Sequence, residues 1–204
     1  MLPPADGEPV SALPSRICLV GETGSGKSTT AAMLRQCLAD AGRPSQTIGL
    51  AALLNDLQNT VYREIAESKE PDRQDQQLMV DLATNIRRIR PLALVERFEK
   101  SLARVPADTV VINADLRDHA VDAVRLRELG FFFIRVRCER AVRLERLGAR
   151  DDLSIVDDEL VFRLDKIGCD LEFDNSRSGI EHVHQFCRRL IAGDLRVIAG
   201  DRCY

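Results

Sequence analysis

The 204-residue sequence predicts a three-layer α/β fold built on a mainly parallel sheet. Three observations carry that expectation. Short β-type apolar runs alternate with helix-forming stretches along most of the chain, the pattern of strands joined by crossover helices. A glycine-rich turn follows the first run and opens directly into a helix-forming stretch, as a phosphate-binding strand–turn–helix unit does. Hydrophobic residues make up 45% and charged residues 30%, which suits one globular core and excludes a wholly disordered chain.

The elements follow in order. Residues 1–15 hold Pro3, Pro4, Pro9 and Pro14 and show no periodic apolar face, so they read as a flexible leader to a single domain over 16–204. Strands are expected at 17–20, 46–50, 109–114, 131–137 and 169–173. Helices are expected at 27–41, stopped by Gly42, at 120–129, stopped by Gly130, and at 139–147, 156–167 and 178–192. Residues 51–106 exceed one crossover, are rich in helix formers and are broken by Pro71 and Pro91. They read as a helical insertion over the carboxyl ends of the strands, where open α/β sheets bind ligands. Residues 195–204 are either a short edge strand or a tail.

Charge and cysteine usage exclude several classes. The 29 basic and 32 acidic residues leave a net charge of −3, against a whole-surface grip on nucleic acid or anionic lipid. Six cysteines, at 18, 37, 138, 169, 187 and 203, show no C-x-x-C and no zinc-type cluster. No apolar run approaches the roughly 18 residues of a membrane span, and the first residues lack a signal-type apolar core. A cytoplasmic protein, monomer or homodimer, is expected. Only Lys27, Lys69, Lys100 and Lys166 are lysine; the other 25 of the 29 basic residues are arginine. That bias is either compositional or the mark of many forked contacts to phosphate or carboxylate.

The most specific motif is ICLV followed by GETGSGKS, which meets G-x-x-x-x-G-K-[ST] at every fixed position. Glycines let backbone N–H groups turn inward to a phosphate chain, and the following helix presents its positive end. Gly21, Glu22, Thr23, Gly24, Ser25, Gly26, Lys27, Ser28 and Thr29 are therefore the expected nucleotide site. Lys27 is expected on the β- and γ-phosphates and the Ser28 hydroxyl on Mg²⁺, so ATP or another nucleoside triphosphate with Mg²⁺ is the predicted ligand.

Residues 109–115, TVVINAD, deliver Asp115 from the carboxyl end of an apolar strand. There a carboxylate orients Mg²⁺ and its waters or takes a proton from an attacking hydroxyl; a helix cap is the alternative, and it is the preferred reading for Asp118. Arg117 is placed to meet an acceptor phosphate. Arg143, Arg146 and Arg150 share one helical face and its end. They read as a lid over about 143–160 whose guanidinium groups close on a transferring phosphoryl group, or as a salt-bridged solvated hairpin.

With GETGSGKST (21–29), RQDQQLMVDLATNIRRIRP (73–91), INADLRD (112–118), RLERLGARDDLS (143–154) and VFRLDKIGCDLEFDNSRSGIEHV (161–183), the chain resembles the P-loop nucleoside and deoxynucleoside monophosphate kinases, with a related dephospho-coenzyme A kinase pattern. The resemblance implies a P-loop NTPase fold of strand order 2-3-1-4-5 and transfer of the ATP γ-phosphoryl group to a small phosphorylated acceptor. It implies Asp115 and Arg117 at the reaction centre, Arg146 and Arg150 in the lid, Asn175 beside the base, and Arg73 and Arg87 on the acceptor phosphate. The chain departs from the deoxynucleotide kinases in having Ser28 where they carry aspartate and LLND at 53–56 where they carry an early lysine. Acceptor identity stays open between a nucleoside monophosphate and another metabolite, and a regulatory NTPase module is the reading from another class.

Overall fold

The computed structural model describes residues 13–65, 75–116, 118–149 and 166–194. Five parallel strands, β1 (Arg16–Val20), β2 (Ser45–Thr47), β3 (Val110–Asn113), β4 (Phe132–Arg137) and β5 (Leu171–Asp174), form one sheet in the order β2-β3-β1-β4-β5. This is the expected order, and it puts β1 at the centre. Seven helices are described: α1 (Lys27–Asp40), α2 (Ala52–Ile65), α3 (Gln76–Ile89), α4 (Ala93–Leu102), α5 (Asp122–Glu128), α6 (Arg140–Gly148) and α7 (Glu181–Ile191).

The alternation of side chains along the strands builds the three layers. Ile17 and Leu19 of β1, with Ile112, Ile134, Val136 and Phe173, pack against Leu34 and Leu38 of α1 and Phe186 and Leu190 of α7. Cys18 and Val20 face the other way and join Val111 and Phe133 against Val95 and Phe98 of α4 and Leu126 of α5. Each large side chain withdrawn from water in these two cores contributes about 1.5–3 kcal/mol. A smaller cluster of Ala51, Leu54, Met79 and Leu94 holds α2 and α3 to the start of α4. Within the expected insertion, α4 therefore covers the sheet face, while α2 and α3 make their own packing unit.

Helix ends follow the sequence signals. Gly42, at φ +67°, terminates α1, its N–H donating to Ala39 O and that of Arg43 to Leu38 O at 2.9 and 2.8 Å. Asp75 caps α3 by accepting from Leu78 N at 3.0 Å. The second strand is shorter than expected. After Ile48 N donates to Ile112 O, Leu50 N and Ala51 N turn to the Asp115 carboxylate instead of the ladder. The expected helix at 156–167 falls mainly on residues outside the described ones, as do the leader through residue 12 and the segment 195–204. Among the described residues no helix is long and apolar enough to cross a membrane.

Candidate phosphate-binding site

The turn between β1 and α1 has the backbone of an anion cradle. Gly24 and Gly26 sit at φ +82° and +94°, a left-handed conformation that side chains rarely adopt and that turns successive N–H groups toward one side. Substitution is also excluded by space. A Cβ on Gly21 would lie 2.4 Å from Val136 O, and one on Gly26 would lie 2.1 Å from Asn175 Nδ2. Gly26 is the N-cap of α1, with no side chain capping the first turn and no acidic residue in it, so the positive end of the helix faces the loop. Ser25 is fully buried, and its Oγ has no hydrogen-bond partner among the described residues. Lys27 arches back over the loop and donates from Nζ to Gly21 O at 2.7 Å and Glu22 O at 2.8 Å. Ser28 is exposed in the first turn of α1, and Thr29 is half-buried beside it. Orphaned Ser25 Oγ, left-handed glycines and a loop-spanning ammonium fit a polyphosphate.

Two further elements close on this loop. From α6, Arg143 pairs with Glu22 at 2.8 Å and donates to Thr23 O at 3.4 Å, and a Cβ on Gly24 would touch Leu147 at 3.1 Å. Arg143 is 6% exposed. Although it shares the expected lid face, its guanidinium is engaged by the loop itself. Arg146, one turn on, donates to Arg177 O at 3.1 Å and lies against Cys138 Sγ at 3.4 Å, with Nη1 3.8 Å from where a Gly26 Cβ would be. It is thus beside the loop, while the rest of the expected lid, from residue 150, lies outside the described residues. From the end of β5, Asn175 donates to Ser25 O at 2.8 Å.

Asp115 stands at the β3 edge of the cleft. The register pairs Cys18 with Asn113, so Asp115 follows the end of β3 by two residues, as Val20 follows Cys18 on β1. Its Oδ1 accepts from Leu50 N at 2.9 Å and from Asn113 Nδ2 at 2.7 Å, and its Oδ2 accepts from Ala51 N at 2.9 Å. Asn113, fully buried, also donates to Ile48 O at 3.0 Å. The carboxylate therefore holds the turn that leads into α2, and Gly49 makes room for it, since a Cβ there would be 2.7 Å from Oδ2.

Asp118 is a cap, as expected: its Oδ1 accepts from Ala120 N and Val121 N, both at 2.8 Å, at the entry to α5. Arg87 of α3 reaches the same segment, with Nη2 2.8 Å from Asp122 Oδ2 and Nε 4.0 Å from Asp118 Oδ2. Asp122 is 1% exposed, so this pair ties α3 to α5. Arg73, Arg117 and Arg150 lie outside the described residues. The structure thus brings Lys27, Arg146, Asn175 and the loop together at the carboxyl ends of β1, β4 and β5, and places Asp115 at the end of β3.

Sequence reasoning missed Glu22 as the partner of Arg143, the Asn113 clamp and His182, which meets Asn175 Oδ1 at 2.8 Å. Only Asn113 had a local signal, as the one polar residue in the VVIN strand. Cys138 Sγ, which lies against Arg146, has its pKa raised by burial, against the opposing effect of Arg146 and Arg143, which keeps it protonated.

The sequence model of a family described as AAA domain matches residues 17–160. No curated protein matches the chain in sequence. Among solved structures, a Thermus thermophilus protein is similar at 20% identity and TM-score 0.52, over 88% of this chain and 97% of that one. A gluconokinase from Sinorhizobium meliloti aligns at 19% identity and TM-score 0.49, over 93% and 96% of the two chains. A shikimate kinase from Acinetobacter baumannii, solved with shikimate, aligns at 13% identity and TM-score 0.47, over 95% and 97%. The Thermus likeness is one of fold.

Proposed function

The chain belongs to the AAA domain family, and from that premise we propose that it is an ATP-dependent kinase of a small molecule, with a nucleoside monophosphate as acceptor. The observation that carries the reading is the convergence of two cationic groups on one glycine cradle, Lys27 from the loop and Arg146 from α6. A bound Mg·ATP would supply the transferable phosphoryl group and a divalent charge on its oxygens. The loop amides and Lys27 would hold the triphosphate, and the Ser28 hydroxyl would serve as the metal ligand from the protein. Lys27 exchanges the Gly21 and Glu22 carbonyls for phosphate oxygens. Phosphoryl transfer passes through a loose transition state, so the chain acts by positioning and charge neutralisation rather than by covalent chemistry.

The engagement of Asp115 favours a phosphate acceptor over a hydroxyl acceptor. Oδ1 has spent both lone pairs on Leu50 N and Asn113, and Oδ2 has one left. A hydroxyl nucleophile needs a base within reach. An acceptor phosphate is already anionic and needs none, while the remaining Oδ2 lone pair suits a metal-bound water. In this reading the second substrate would be enclosed by the helix pair α2–α3, which is tethered through Asp115 and through Arg87 to Asp122.

The test is direct. Incubation with Mg·ATP and a panel of nucleoside monophosphates, nucleosides and dephospho-coenzyme A should yield ADP only when a nucleoside monophosphate is present, together with the diphosphate product. Product from dephospho-coenzyme A alone would move the assignment to a metabolite kinase. Slow hydrolysis indifferent to every acceptor would assign a regulatory NTPase.

A further inference from the structure

Asn175 is 3% exposed, and both ends of its side-chain amide are committed. Nδ2 donates to Ser25 O at 2.8 Å, and Oδ1 meets His182 Nε2 at 2.8 Å. The chemistry fixes the direction of every bond. Ser25 O can only accept, so the NH₂ faces it; Asn175 Oδ1 can only accept, so His182 donates and carries its proton on Nε2. The backbone of Asn175 is itself anchored, its N–H donating to Arg137 O at 2.8 Å. Phe173 of β5 lies against the His182 ring, with centroids 6.0 Å apart. Asn175 is therefore held from β4 by its backbone and from α7 by its side chain.

The group it holds is the Ser25–Gly26 peptide. A trans peptide directs its C=O and N–H to opposite sides. Anchoring Ser25 O toward Asn175 therefore points Gly26 N–H away from Asn175, on the side where the left-handed Gly24 and Gly26 open the cradle. The amide is pressed against the loop so closely that a Cβ on Gly26 would overlap Nδ2 at 2.1 Å. One N–H and one Oδ1 lone pair are thereby spent on the loop and on α7, which sets the amide plane against the Ser25–Gly26 peptide.

We propose that Asn175, oriented by His182, is a positioning residue that sets the Ser25–Gly26 peptide and thereby governs affinity for the triphosphate chain, independently of the base. This rests on the phosphate loop of the proposed kinase but not on the identity of the acceptor.

The experiment is calorimetric titration of the full-length protein, in Mg²⁺, with ATP, GTP and base-free tripolyphosphate. Asn175→Ala should weaken all three by the same factor, roughly tenfold for a lost hydrogen bond that preorganises the site. His182→Ala should weaken all three by a smaller common factor, and His182→Gln, which keeps an amide donor, should restore binding. Asn175→Ala with His182→Ala should be no weaker than Asn175→Ala alone, since the histidine acts only through the asparagine. A loss confined to ATP, with tripolyphosphate unchanged, would assign Asn175 to the base and overturn the proposal. So would unchanged affinity for all three ligands. Should Asn175→Ala fail to show a native melting transition, the His182→Ala and His182→Gln pair decides by the same criteria, and failure of glutamine to restore binding overturns the proposal. Wild-type binding of all three ligands without phosphoryl transfer would overturn the kinase reading and leave this one standing.

Discussion

Arg143 of α6 and Glu22 of the phosphate loop form an ion pair at 2.8 Å, joining residues 121 positions apart in the chain. The pair is asymmetric, with the arginine buried and the glutamate side chain about one-third exposed. Removing the arginine lets Glu22 rehydrate, so Arg143→Ala should cost about 1–2 kcal/mol rather than the full penalty of a stranded buried charge. Removing the acid strands the buried guanidinium, so Glu22→Ala should cost at least as much. Urea denaturation of the two variants checks the order.

Lys27→Ala should abolish turnover while leaving the fold intact. The ammonium donates to the loop carbonyls of Gly21 and Glu22, and neither core includes the side chain. Turnover near wild type in a folded variant would remove the phosphate-loop assignment. Circular dichroism and an acceptor-dependent ADP assay together provide the answer.

Asp115→Ala leaves Leu50 N–H, Ala51 N–H and the Asn113 amide short of an acceptor. At about 1–3 kcal/mol for an unsatisfied buried donor, the variant should lose roughly 2–4 kcal/mol. Asp115→Asn keeps one oxygen and should lose less. Under the phosphate-acceptor reading its kcat falls by less than the roughly 10²–10⁴-fold that removal of a general base entails, while the acceptor KM rises as the α2 turn loosens. Stopped assays at saturating ATP separate the two.

The buried thiols of Cys187 and Cys18 should resist alkylation at neutral pH and react on unfolding. Burial, and then the neighbouring Cys37, pushes the Cys187 pKa from the ordinary 9.0 up to about 12. Burial, and then Asp115, raises that of Cys18 well above its usual value. The thiolate is the nucleophile, so both are inert in the folded chain. The unfolded chain releases these protons first as pH rises, so the contribution to stability is complete below about pH 9 and is lost between there and about pH 12. Urea midpoints across that window should fall, and Cys187→Ala should flatten the fall.

Much of this architecture is legible in the chain because it is local. The apolar runs ICLV and VVIN and the FFIRVR strand declare themselves by composition, Gly42 marks the end of α1, and the phosphate loop is a contiguous motif whose conformation its own glycines permit. Asp118 as a cap was legible for the same reason, since its partners are two and three residues away. Arg87, by contrast, reads on sequence alone as a candidate phosphate ligand, and its pairing with Asp122 appears only when α3 is set against α5.

The sequence by itself determined the strand order through its resemblance, the phosphate loop and the residue types gathered at the strand ends. Only the tertiary structure decided what those residues do for one another. Arg143 became a clamp on Glu22, Asp115 a brace for the α2 turn, and Asn175 a strut for Ser25, because each partner lies 64 to 150 positions away in the chain. A hydrogen bond depends on ångström-scale placement, and across such separations that placement comes from the packing of the parallel sheet and its helices, which no local pattern encodes.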